Sequence, residues 1–167
     1  MTLAEAAGRA EELWATGSQR ELAELRASWD DELEAQARSQ DFRERAMAFR
    51  AVGMFRWRAK EELLRRGLDD TSPAARGSAL LSIELLSRDH PSSVNSVRPL
   101  LHKMLADPDE NPAVRRLAVL ALKNGSPQRD TIVLLEGTAA DDEAGADLSR
   151  AAGTVAQELK RKAIAKR

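Results

Sequence analysis

Residues able to do chemistry are sparse in this chain, and their spacing decides against most of what they could do. Carboxylates crowd into Asp107-Pro108-Asp109-Glu110 and Asp141-Asp142-Glu143, a density that invites calcium. Neither run has the alternating ligand spacing or the distant bidentate glutamate of an EF-hand loop, and acidic residues matched to a helix dipole account for both. The two histidines are His90, in a proline-flanked loop, and His102, in a helical stretch. Neither has the serine or lysine partner that nucleophilic catalysis needs. With no cysteine there is no thiolate zinc site and no disulfide frame, and two histidines are too few for a histidine-rich metal site. Glycine-rich phosphate loops are absent. The expectation is a chain with no catalytic residue, no metal ligand and no cofactor.

One cluster points to a different chemistry. Aromatics are only 4% of the residues, yet three of them are tryptophan, and Trp57 stands among Arg56, Arg58, Lys60, Arg65 and Arg66. A ring flanked by cations is what single-stranded nucleic acid stacks on. Glu61 and Glu62 interrupt the patch, and the net charge of −1 offers no global attraction to a polyanion or an anionic membrane. Trp14 and Trp29 fall on apolar stripes, where burial is the default, and Trp57 suits the junction of two packed helices equally well. The basic tail, Lys160-Arg161-Lys162 and Lys166-Arg167, matches the cations favoured at a helix C-terminus.

The elements that must carry these residues are helices. Ala, Leu, Glu and Arg dominate, β-branched and aromatic residues are few and tyrosine is absent, so a strand-rich core has little to draw on. Helix signals punctuate the whole chain. Thr2 with Glu5, Ser18 with Glu21 and Asp41 with Glu44 read as capping pairs, Gly17, Gly53, Gly67 and Gly125 as stops or turns, and Pro73, Pro112 and Pro127 as starts. Leu22, Leu25, Trp29, Leu33 and Ala37 recur at helical steps, and the last helix is expected from about residue 147. The 167 residues suit one domain, in which residues 1–38 form two extra helices and 39–167 the rest. The N-terminus lacks a basic segment followed by an apolar run, and no stretch nears the roughly 20 apolar residues of a membrane span. No membrane partner and a cytoplasmic location are expected.

A repeat is superimposed on these helices. An arginine followed three residues later by a small residue recurs as Arg43/Ala46, Arg76/Ala79, Arg115/Ala118 and Arg150/Gly153, spaced 33, 39 and 35 residues apart, each shortly after an acidic turn. Fixed-period self-similarity signals a solenoid. The segment Asn111-Pro112-Ala113-Val114-Arg115-Arg116-Leu117-Ala118-Val119-Leu120-Ala121-Leu122 resembles the second-helix signature of HEAT repeats, and residues 67–82 resemble it less fully. The resemblance covers roughly residues 35–163. It implies a short right-handed α-solenoid of HEAT-like helix pairs, preceded by two extra N-terminal helices, with arginines bridging to carboxylates of the turn below or of the neighbouring repeat.

Two functions follow from the resemblance. HEAT repeats mostly serve as protein-binding scaffolds, and some DNA-repair enzymes of related fold use aromatics in a basic channel, which would assign Arg56, Trp57, Arg58 and Lys60 to nucleic acid. In the family the fifth residue after the arginine usually lines the concave face. Here it is Ala48, Leu81, Leu120 and Val155, an apolar row suited to a partner's hydrophobic face, unless the N-terminal helices or a second copy of the chain cover it. The flanking positions do not make a basic channel. Glu84 and Lys123 fall on one adjoining row and Arg116 on another, so basic positions alternate with acidic or neutral ones, against what counterion release demands. A protein of unspecified identity is therefore the expected partner, nucleic acid the alternative, and self-association remains open.

Overall fold

The structure, a computed structural model, describes residues 1–166. It is all-helical, with no strand among the described residues. In order come α1 (Leu3–Ala15), α2 (Gln19–Ala37), α3 (Phe42–Met54), α4 (Glu61–Gly67), α5 (Pro73–Ser87), α6 (Ser92–Asn95), α7 (Arg98–Ala106), α8 (Pro112–Leu122), α9 (Arg129–Ala139) and α10 (Ala146–Ala165). Single 3-10 turns lie at Arg58–Lys60 and Asp142–Ala144. The chain divides into two compact units, Met1–Leu86 and Ser87–Arg167.

In the first unit the N-terminal cap forms as its sequence dictates. Thr2 Oγ1 accepts from the Glu5 amide at 3.2 Å and Glu5 Oε2 from the Thr2 amide at 2.7 Å, which satisfies two of the orphan donors that begin any helix. Leu3, Ala6, Ala7, Ala10 and Leu13 are buried behind it, and Gly17 takes the left-handed conformation (φ +73°) that ends the turn after α1. The second expected cap does not form. Ser18 makes no side-chain cap bond to α2, and its hydroxyl sits 3.0 Å from that of Thr16 instead. Asp41 caps α3 by accepting from the Arg43 amide at 2.9 Å.

Helices α1, α2 and α3 pack on one another, and the end of α3 is fastened from α2. The Arg26 guanidinium donates to the carbonyls of Phe55 and Arg56, both at 2.9 Å, which carry no intrahelical partner. Burial of that guanidinium works against its charge and lowers its pKa. Arg56 itself occupies the left-handed position after the helix (φ 51°), where glycine is favoured, while Trp57 N–H bonds back to the Val52 carbonyl at 3.0 Å.

Gly53 begins the turn its position suggests, its carbonyl accepting from the Arg56 amide at 2.9 Å, and it has a second role. It lies inside α3, and its amide donates to Ser82 Oγ of α5 at 3.0 Å, while that hydroxyl donates to the Phe49 carbonyl at 2.5 Å. A Cβ at residue 53 would stand 2.7 Å from Ser82 Cα. The missing side chain is what lets the two backbones approach. Nearby, Arg45 of α3 grips Asp70 bidentately, at 2.8 and 2.9 Å, in the acidic turn before α5. A bridge of this kind is what the sequence pattern leads one to expect of Arg43. Arg45 makes it, whereas Arg43 is exposed and pairs only with Asp41 in its own cap.

In the second unit, α7 packs on α8, and α10 lies against both α8 and α9. Asn111 caps α8 through the Ala113 amide at 2.9 Å, with Pro112 at the first helical position, where its missing N–H costs nothing. Arg115 is buried, and its Nε and Nη2 donate to the Leu105 carbonyl at 3.0 and 2.8 Å. The expectation for it is a carboxylate partner, and these bonds go to a helix-end carbonyl instead. Arg76 likewise donates to the Asp70 carbonyl, at 2.8 Å. Leu101, Leu105, Ala118, Leu135, Ala152 and Leu159 have no solvent exposure, each large one contributing about 1.5–3 kcal/mol by burial. These contacts hold α8 and α10 side by side, and that pair carries the site described next.

Candidate functional site

Steps of three and four residues bring Arg116, Leu120 and Lys123 to one face of α8, and Asp147, Arg150, Ala151, Thr154, Val155 and Glu158 to the facing side of α10. Between the two faces is an open groove of about 500 Å³. Leu120 and Ala151, both half-exposed, supply its apolar surface, and Val155 is buried beneath them. Near one end of α8, Lys162 Nζ donates to the Lys123 carbonyl at 2.5 Å. That bond holds the last turns of α10 beside α8 and takes up a helix-end acceptor.

The charges in the lining are unequally engaged. Arg150 and Asp147 stand 3.5 Å apart across one helical turn. Arg116 and Lys123 project from α8 with no carboxylate paired to either among the described residues, and Glu158 on α10 is also unpaired there. The groove thus has Arg116 and Lys123 on one wall and Asp147, Arg150 and Glu158 on the other. Among the described residues no group of three or more His, Cys, Asp or Glu side chains gathers as metal ligands do.

The structure sorts the expected partner residues into three kinds. Arg116, Leu120, Lys123 and Val155 meet in the groove. Leu81, 38% exposed, and Glu84, half-buried, lie on α5 in the other unit. Ala48 is fully buried on α3. The four apolar positions are therefore not a continuous exposed row, because Ala48 and Val155 face packed helices while Leu81 and Leu120 reach solvent. Asp147 and Glu158 were not among the expected partner residues. Their signal was present in the helical spacing that aligns them with Arg150, Ala151, Thr154 and Val155.

The basic and aromatic patch is rearranged more thoroughly. Trp57 is 9% exposed, with its ring centroid 5.8 Å from that of Phe55. Lys60 lies 5.2 Å from the same ring and binds Asp30 and Glu34 at 2.5 and 2.8 Å. Burial opposes the charge on Lys60, but the hydrogen bonds to these carboxylates outweigh it and raise its pKa above the ordinary lysine value. Arg56 turns inward over the Trp14 ring at 5.3 Å and donates to the Gly53 carbonyl at 3.0 Å. Arg58, half-exposed, is 3.6 Å from Glu61. Of the four residues read as a nucleic-acid surface, Trp57 offers no open face and two cations are committed to α1, α2 and α3.

His102 also finds an internal partner, with its Nε2 2.9 Å from Thr131 Oγ1. Burial lowers its pKa, Asp130 opposes that shift, and Arg98 adds to it. A second concavity, about 480 Å³, lies at the N-terminus and is lined by Met1, Thr2, Leu3, Ser28, Trp29, Glu32 and Gln36. Compared with known proteins, the chain matches no family model, no curated protein and no solved structure.

Proposed function

We propose that this chain is a non-catalytic scaffold or adaptor of the cytoplasm, which binds another protein in the groove between α8 and α10. In this reading its units are built from HEAT-like helix pairs of a short right-handed α-solenoid, with α1 and α2 as the extra N-terminal helices. The observation that carries the functional reading is the lining of the groove: an apolar strip of Leu120 and Ala151 over the buried Val155, edged by Arg116, Lys123, Asp147 and Glu158. Apolar surface supplies affinity, and a mixed polar rim supplies register and selectivity. Two further facts are consistent with it. The inward commitments of Lys60 and Arg56 leave the basic patch poorly suited to phosphates, and no helix among the described residues is long and apolar enough to cross a membrane.

The test is retention of a protein partner from lysate by the full chain and by Leu120→Glu, beside a gel shift with mixed nucleic acid. Leu120 is half-exposed, so a carboxylate there reaches water, and circular dichroism checks that the variant stays helical. Loss of the partner in Leu120→Glu, with no salt-sensitive gel shift for either protein, is the expected result. Leu81→Glu, on the other unit, reports whether α5 shares in the contact. A strong gel shift that weakens steeply with salt, with no protein retained, would reverse the assignment.

A further inference from the structure

We propose that the α8–α10 groove selects an acidic amphipathic helix, one that carries two carboxylates two turns apart on the flank facing α8 and a lysine or arginine on its other flank. The proposal rests on the protein-binding reading of the same groove and adds the chemistry of the occupant. Arg116 on α8 and Lys123 at its C-cap, still in helical conformation, are seven residues apart, which puts them on one wall at about 10.5 Å along the helix axis. Carboxylates seven residues apart on a docked helix have that same spacing. Of the three cations in the lining, only Arg150 has an internal carboxylate, Asp147. The other two are positioned without being neutralised, and Lys123 is half-buried at the edge of the groove.

The opposite wall narrows the choice of occupant. Glu158 on α10 lines the same groove and forms no ion pair with Arg116 or Lys123. A polyanion would bring phosphates against Glu158 and Asp147, whereas a helix can place unlike charges on its two flanks. Two adjacent helices present ridges that a third helix fills by the same packing rules. The volume of about 500 Å³ is in the range that holds a few side chains, one face of a short helix rather than a globular domain.

The experiment measures fluorescence anisotropy of labelled synthetic helical peptides against the full chain. All share one leucine and alanine face and a lysine on one flank. On the other flank, two positions two turns apart carry Glu, Gln or Lys. Two partly exposed pairs are expected to favour the Glu peptide over the Gln peptide by about fivefold to tenfold at low salt, and less as salt rises. The double variant Arg116→Glu/Lys123→Glu, whose side chains make no internal ion pair, should fold normally and prefer the Lys peptide. Leu120→Ser should weaken all three.

Each contrary result is informative. Equal binding of the three peptides, still dependent on Leu120, overturns the charge selection and leaves the docking reading standing. Charge-dependent binding that ignores Leu120→Ser overturns the groove as its seat. Displacement of the Glu peptide by an equal concentration of duplex DNA overturns the choice of a protein helix, and no binding of any peptide overturns both readings.

Discussion

Alanine at residue 53 should destabilise the first unit even though alanine is the better helix former. Gly53 is in the last turn of α3, and relief of glycine's backbone entropy alone would stabilise the helix by at most about 1 kcal/mol. The added Cβ, however, would stand 2.6 Å from Ser82 Oγ, 2.7 Å from Ser82 Cα and 2.9 Å from Ser82 Cβ. Carbon atoms pack at about 3.5–4.0 Å, so α3 and α5 must separate by nearly an ångström, because the nearest carbon belongs to backbone. Overpacking of that kind costs about 1–3 kcal/mol. Separation also stretches the buried bonds from the Gly53 amide to Ser82 Oγ and from that hydroxyl to the Phe49 carbonyl, each contributing about 0.5–1.5 kcal/mol. The net expectation for Gly53→Ala is a loss of about 2 kcal/mol, or roughly 4–8 °C in Tm for a chain of this size. Gly8→Ala is the control, since Gly8 is interior to α1 and a Cβ there meets nothing within 4 Å. It should gain about 0.5–1 kcal/mol. Urea denaturation of the three proteins decides the matter, and a Gly53→Ala protein as stable as the parent would refute the close-approach argument.

Three other perturbations have expected outcomes. Arg56→Gly removes the left-handed strain along with the side-chain contacts, whereas Arg56→Ala removes only the contacts, so the glycine variant should be more stable than the alanine variant by about 1 kcal/mol in denaturant melts. The Arg45 guanidinium, with the Ser72 amide assisting against burial, holds the Asp70 carboxyl below its ordinary pKa. Its stabilisation is therefore present above about pH 4, the unfolded value, and is lost as pH falls through the lower folded value. Asp70→Asn should lower Tm by a few degrees at pH 7 and flatten the acid limb of a Tm-against-pH curve. Burial lowers the His102 pKa despite Asp130, with Arg98 assisting, so the unfolded chain takes up a proton first as pH drops below about 6.5 and stability falls from there towards the folded value. His102→Gln should flatten that segment, and proton NMR should show His102 titrating below the ordinary histidine value.

Local signals were legible in the sequence where a few neighbouring residues decide the structure. The capping box of Thr2 and Glu5, the Asp41 and Asn111 caps, the prolines that open α5 and α8, and the glycine that closes α1 all involve groups within a few positions of one another. Ser18 failed as a cap because its hydroxyl had a rival in Thr16, two residues back. The turn at Gly53 was legible but its close approach to α5 was not, because the residue that requires it, Ser82, is 29 positions away. The repeat pattern aligned Arg43 with Arg76 and Arg115, yet the bridge to Asp70 comes from Arg45. Spacing identifies which residues recur, but only packing decides which of two nearby arginines points at the acceptor.

The candidate site was half legible for the same reason. In the sequence Leu120 falls on the apolar row and Arg116 and Lys123 on the two rows adjoining it, and in the structure all three line one groove with Val155. The depth of a position in the packing is not written in its spacing, so Ala48 was grouped with exposed residues although it is fully buried. Trp57 and its cations illustrate the converse. A basic aromatic run is an electrostatic footprint only if its charges face solvent, and Asp30 and Glu34, which neutralise Lys60, come from a helix that precedes it by more than twenty residues.

The central claim, that α8 and α10 form a docking groove for a helix, is tested most directly by mapping the amide chemical-shift changes of the labelled full chain titrated with the Glu-flanked peptide. The expected result is a set of shifts concentrated at Arg116, Leu120, Lys123, Ala151, Val155 and Glu158, with residues 56–60 unmoved. Shifts gathered at Arg56, Trp57, Arg58 and Lys60, with none along α8 and α10, would contradict the account.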